Sequence, residues 1–229
     1  MDDQEDAGYP RWASRLAWIT LAGALLFVGV LLVLALAGVS DPRPESAPRV
    51  SDPLTSLAGW SAQPLGALAL EAGAGLRLEA VGPDERALAA APYEIAVPGV
   101  LAAQMRQATG PPESYYGIWW GESPEDCVVA LVNADGYFGI ERVVGTQRTW
   151  VRAPARWPHI RGADQPNTLQ LDVSAGQVVL WINDERAATT PLEGSGPLRA
   201  GFVVVAGPHE GAAVLIEHLW LWDGPPPQR

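Results

Sequence analysis

Asn167-Thr-Leu-Gln-Leu-Asp-Val-Ser-Ala-Gly-Gln-Val-Val-Leu-Trp-Ile-Asn183 sets two alternating runs on either side of a Ser174-Ala-Gly176 turn. In the first run Leu169, Leu171 and Val173 share one side, and Gln170 and Asp172 the other. In the second, Val178, Leu180 and Ile182 alternate against Val179 and Trp181. Successive side chains of a strand point to opposite faces, so a period of two with one apolar side marks a half-buried strand. A hairpin of this kind has an apolar face that a second layer must cover.

The same grammar recurs outward from this stretch. Leu68 to Leu70 and Leu76 to Val81 flank a Gly73-Ala-Gly75 turn. Glu94 to Gln107 reads as a long strand interrupted at Pro98-Gly99. Tyr115 to Trp120, Cys127 to Val132 and Tyr137 to Val144 follow between Gly, Asp, Asn and Pro turns. Leu198 to Val205 and Ala213 to Trp222 complete the set. Arg86 to Ala91, RALAAA, has helical composition, but it is too short for a stable helix and is closed by Pro92. Short strands at this density, with no room for crossover helices, predict an all-β, two-sheet sandwich or a closed barrel.

Upstream the pattern changes completely. Leu16 to Val39 is twenty-four residues without a charge, which as a helix would extend about 36 Å, against a hydrocarbon layer of roughly 30 Å. The run is far longer than a signal-peptide core, although Ala35-Leu-Ala37 resembles a cleavage site. The reading is a transmembrane helix at 16–39 that contacts the lipid bilayer, with a short cytoplasmic tail at 1–15. Arg15 abuts the span and the bulk of the chain follows it, which places the C-terminal domain extracytoplasmic. Residues 40–50, SDPRPESAPRV, form a Pro-rich stalk. A β-domain over 51–223 and a disordered tail at 224–229 complete the organisation.

Composition excludes more than it assigns. The chain carries a net charge of -11 and all fifteen basic residues are Arg, so no broad cationic surface for nucleic acid is expected. Cys127 is the single cysteine, in the apolar run Cys127 to Val132; it reads as a small buried hydrophobe. His159, His209 and His218 have no metal-ligand spacing. Glu94, Glu141 and Glu217 are separated acids among apolar neighbours, each read as a solvent-facing strand position, with no run that would set two carboxyls on one strand face. No enzyme and no cofactor are therefore expected. Structural calcium stays open, because Glu122 to Asp126 and Asn133 to Asp135 offer hard oxygen donors.

Several segments resemble concanavalin A-like, laminin-G-like bacterial domains. Asp52-Pro-Leu-Thr-Ser-Leu-Ala-Gly-Trp60 resembles their opening segment, and Tyr116-Gly117-Ile118 their Tyr-Gly-hydrophobe strand. Asn133 to Ile140 resembles a turn and following strand. Asn167 to Asn183 matches a strand, glycine turn and second strand ending in an Asn-Gly-type hairpin. Gly201 to Ala206 and Ile216 to Trp222 also fit. The resemblance implies a jelly-roll sandwich of about twelve to fourteen strands and an unassigned surface role more than an activity. Asp184-Glu185 and Glu217-His218 depart from the family pattern.

Ten Trp residues are many for 229 positions. Trp60, Trp120 or Trp181, and Trp222 are expected in the sandwich core; Trp119 and Trp120 cannot both face inward, so one should be exposed or covered by a loop. Trp220 and Trp222 share a face opposite Leu219 and Leu221. The segment from Thr149 to Arg161, with Arg142 and Arg148, holds a third of the Arg residues within twenty positions. Trp150, Arg152, Arg156 and Trp157 are the candidate ligand-binding residues, since indole faces stack on sugar rings and Arg forks pair with anions. The alternative is an Arg–Trp loop packed over a sheet edge. The functional expectation is a membrane-tethered recognition module for envelope carbohydrate, with a protein-interaction or structural envelope domain as alternative and a glycoside hydrolase as the lesser one.

Overall fold

The computed structural model describes residues 11–36, 44, 46–64, 66–163, 165–192 and 196–225. The chain divides into two units, residues 1–41 and 42–229. The first contains one helix, α1 (Arg11–Leu36). Its described side chains, 18–30, are all exposed and include Leu25, Leu26, Phe27 and Val28. Among the described residues no helix is long and apolar enough to cross a membrane. The expected span at 16–39 therefore finds no support among the described residues. Residues 1–10, 37–43, 45 and 226–229, which include most of the expected tail and parts of the stalk and C-terminal end, lie outside the described residues.

The second unit is a two-sheet β-sandwich with fifteen strands among the described residues. One sheet contains β1 (Val50–Asp52), β3 (Leu68–Glu71), β4 (Gly75–Ala80), β6 (Gly99–Thr109), β11 (Asn167–Ser174), β12 (Gln177–Ile182), β13 (Glu185–Pro191) and β15 (Ala212–Asp223). Its order is β13-β12-β11-β6-β15-β4-β3, with β1 also paired to β15. The other contains β2 (Ser61–Gln63), β5 (Arg86–Ile95), β7 (Tyr115–Ser123), β8 (Asp126–Asn133), β9 (Tyr137–Val144), β10 (Gln147–Arg156) and β14 (Leu198–Val205). Its order is β10-β9-β8-β7-β14-β5-β2.

The opening hairpin behaves as its alternation requires. Leu169 lies opposite Ile182 and Leu171 opposite Leu180, and all four enter the inter-sheet core with Val173 and Val178. The following turn is Asn183-Asp184, both at positive φ (50° and 69°). Two left-handed residues match the right-handed twist of a two-residue hairpin, so Asp184 fills the place a glycine would take. Asn183 further secures the turn, donating to His159 O at 2.6 Å.

Several expectations change. Arg86 to Ala91, helical in composition and given no element in the sequence reading, is strand: Ala87 and Ala89 alternate into the core while Arg86, Leu88 and Ala90 face the other way. Pairing on both sides by β14 and β2 overrides the weak local preference of alanine. The segment Gln147 to Arg156 is an edge strand rather than a loop. Trp120 is in the core and Trp60 stacks on Phe202 at 5.5 Å. Trp222 is buried instead on the outer face of the eight-stranded sheet, beside Val100 and Ala102. Trp181 also lies on that face, donating to Asp172 at 2.7 Å. His218 stacks on Trp220 at 4.2 Å.

Candidate functional site

Alternation within the seven-stranded sheet leaves a second apolar face, outside the sandwich. Trp119, Val129, Leu131, Val143, Val203, Cys127 and Ala90 cluster there, with Leu88, Tyr115 and Val205 partly buried against them. Trp119 and Trp120 do point to opposite faces, yet neither is exposed. Trp119 lies across Gly201, where a Cβ would come within 2.7 Å of the indole nitrogen, and donates to Ala89 O at 3.0 Å.

Arg86 on β5 and Glu141 on β9 meet above this cluster, Nη1 to Oε2, at 2.8 Å. Three strands separate β5 from β9, so a flat sheet would hold them roughly 19 Å apart. The contact therefore requires the sheet to curl around this face. The side chains are only 6% and 12% exposed, which corrects the solvent-facing reading of Glu141. The middle of the concavity is filled by protein and closed by an ion pair.

What remains open is the rim formed by β9 and β10. Trp150 lies opposite Glu141 in register, so it shares the outer face. Its ring covers Gly139: a Cβ there would fall 2.6 Å from the indole edge. Any other residue at 139 would displace Trp150, whose 42% exposure leaves an indole surface to solvent. Arg148 lies opposite Val143 on the same side. Arg156 lies opposite Tyr137, with its guanidinium 5.9 Å from the phenol ring centroid. Beside Arg148 a hollow of about 190 Å³ is lined by Gln63, Arg86, Leu88, Glu125 and Val143 among others.

The four expected ligand residues do not converge. Register shifts between Trp150 and Arg152, and between Arg152 and Ala155, turn part of the strand over. Arg152 lies over the Phe138 ring at 4.6 Å and donates to Ala187 O at 3.3 Å. Trp157 packs edge-on against Phe138 at 5.5 Å, and its backbone N–H donates to Gly136 O. Phe138 belongs to the inter-sheet core. Arg152 and Trp157 thus cap the core, whereas Trp150 and Arg156 face the rim. Sequence reading missed Arg86 and Glu141; reading RALAAA as strand would have put Arg86, Leu88 and Ala90 on one face.

The acids are dispersed. Glu217 is on the other sheet, accepting from Arg106 at 2.9 Å and Gln104 at 3.0 Å; Glu94 is exposed on β5 opposite Arg199. Burial pushes the Cys127 thiol up to about 11, against the opposing pull of Arg86 and Arg142, so it is no nucleophile at neutral pH. Among the described residues no group of three or more His, Cys, Asp or Glu could hold a metal ion. In the turns considered for calcium, Asn133 Oδ1 accepts from Tyr137 N at 2.9 Å and Asp126 pairs with Arg142. A second hollow, about 370 Å³, opens by Trp120, Val128, Val151 and Leu198.

No protein-family model matches the chain, and no curated protein sequence matches it. Solved structures do share its fold. The carbohydrate recognition domain of Emp46p in its metal-free form is 15% identical, covering 77% of this chain and 93% of that one, with a TM-score of 0.56. The carbohydrate-binding module CBM66 from Bacillus subtilis is 11% identical over 72% of this chain and 96% of its own, at a TM-score of 0.59. The Crh5 transglycosylase in its apo form is 13% identical over 81% and 88%, at 0.56. These similarities show the fold alone, an all-β, two-sheet, jelly-roll-like sandwich, and a shared fold does not by itself assign a function.

Proposed function

We propose that this chain is a non-catalytic recognition module that binds carbohydrate of the cell envelope along the β9–β10 rim, tethered to the membrane with its β-domain on the extracytoplasmic side. The observation that carries the binding reading is the Trp150 indole, its edge seated over Gly139 and the residue exposed to solvent. A fixed aromatic plane stacks on a pyranose ring at little entropic cost. The fold's carbohydrate-binding neighbours support the ligand class. The non-catalytic reading rests on Glu141, whose carboxylate in the concavity is committed to Arg86. The tether rests on the sequence of residues 16–39.

The test is retention of the full chain, solubilised in neutral detergent, on gels containing envelope polysaccharides. Trp150→Ala should abolish retardation without changing the melting temperature; undiminished retardation would refute the site. Resistance to alkaline extraction, with protease removal of the domain from intact cells, tests the tether and its orientation. A protein-interaction domain is the second reading, favoured by exposed Val144 and Val151 at the same edge. It would show as polymer-independent association through those two residues.

A further inference from the structure

We infer that the polysaccharide recognised at this rim is acidic, bearing carboxylate or sulfate groups; this rests on the carbohydrate reading above. The first observation is charge allocation. Acidic side chains outnumber basic ones, 26 to 15, so an arginine has ample partners available. Arg49, Arg77, Arg86, Arg106 and Arg142 take them. Like Arg152, Arg161, Arg186 and Arg199, the exposed Arg148 and Arg156 form no ion pair among the described residues. Both lie on the Trp150 side of β10, which contains no acidic residue.

The second observation is independent of the first. Arg86 is 6% exposed and uses Nη1 on Glu141, while its Nη2 is buried with no hydrogen-bond partner. Arg86 and Arg148 line the same 190 Å³ hollow, together with the amide-bearing Gln63 and one carboxylate, Glu125. Two guanidinium groups and an amide against one carboxylate leave this hollow with an excess of donors, and charged oxygens satisfy such donors best. Arg148 and Arg156 pair with Val143 and Tyr137, six residues apart on β9, which sets them roughly 20 Å apart along the sheet, with Trp150 between them. That spacing suits successive charged units of an extended chain rather than one small molecule.

The net charge of -11 makes the inference falsifiable, because the whole-molecule field repels a polyanion. Only a local site can retain one. The full chain in neutral detergent is run through gels containing polygalacturonate, dextran sulfate or uncharged dextran. Retention is expected in one or both acidic gels, and the two arms distinguish carboxylate from sulfate. It should weaken about tenfold in the Arg148→Gln/Arg156→Gln double variant and fall as salt rises, with melting unchanged. Retention by uncharged dextran alone, lost in Trp150→Ala, would overturn this inference and leave the carbohydrate reading standing. Failure of every polymer, including envelope extracts, would overturn both. Acidic-polymer retention that the double variant leaves intact would remove these arginines from the site.

Discussion

Arg86 Nη1 and Glu141 Oε2 meet at 2.8 Å across a sheet in which three strands lie between theirs. The pair fixes the curl of the seven-stranded sheet and closes the concavity over Trp119. Closure moves the available surface from the middle of the sheet to its β9–β10 rim. Desolvating two charges has a cost, so the pair specifies geometry more than it adds stability.

Removing one partner should therefore be worse than removing both. Glu141→Ala is expected to destabilise the domain by about 3 to 5 kcal/mol, leaving a buried guanidinium uncompensated. Arg86→Met/Glu141→Leu should recover most of that loss. Chemical denaturation of the four-member cycle measures it, and additive losses would show that the pair is not coupled.

Gly139→Ala tests how Trp150 is held. The methyl would collide with the indole, so polysaccharide retention should fall while the fold survives. Shifted Trp emission without unfolding is the expected signature. Unchanged emission and unchanged retention would mean that Trp150 does not need Gly139 as its seat.

Trp157→Ala should give the opposite profile. The ring packs against Phe138 at the margin of the core, so its loss should cost about 2 kcal/mol with retention preserved in the folded fraction. Loss of binding at unchanged stability would return Trp157 to the ligand site.

Burial raises the Tyr116 pKa to about 12, a shift that the hydrogen bond from Asn167 partly offsets. The folded state holds this phenol proton more tightly than the unfolded chain, where it leaves near pH 10. The contribution is complete below pH 10 and is lost as pH rises from 10 to 12. Melting temperature should drop through that window, and Tyr116→Phe should flatten the drop. An equal fall in the variant would assign it to other groups.

The Cys127 thiol, raised to about 11 and buried, should resist alkylation at pH 8 until the domain unfolds. Rapid native-state labelling would contradict its burial.

The sequence by itself determined the fold class. Alternation at Leu169, Leu171 and Val173 against Gln170 and Asp172 is local, and one apolar face per strand leaves a layered β-structure as the solution. It also determined that Trp119 and Trp120 part to opposite faces, since that follows from the pleat alone. Only the tertiary structure decided which residues meet. Arg86 and Glu141 are fifty-five positions apart and come together because pairing order curls one sheet. Trp150 and Trp157 share one strand-and-turn segment, yet register shifts in β10 send them to different sides. Such shifts arise from pairing with a neighbouring strand, and no periodicity along one strand records them.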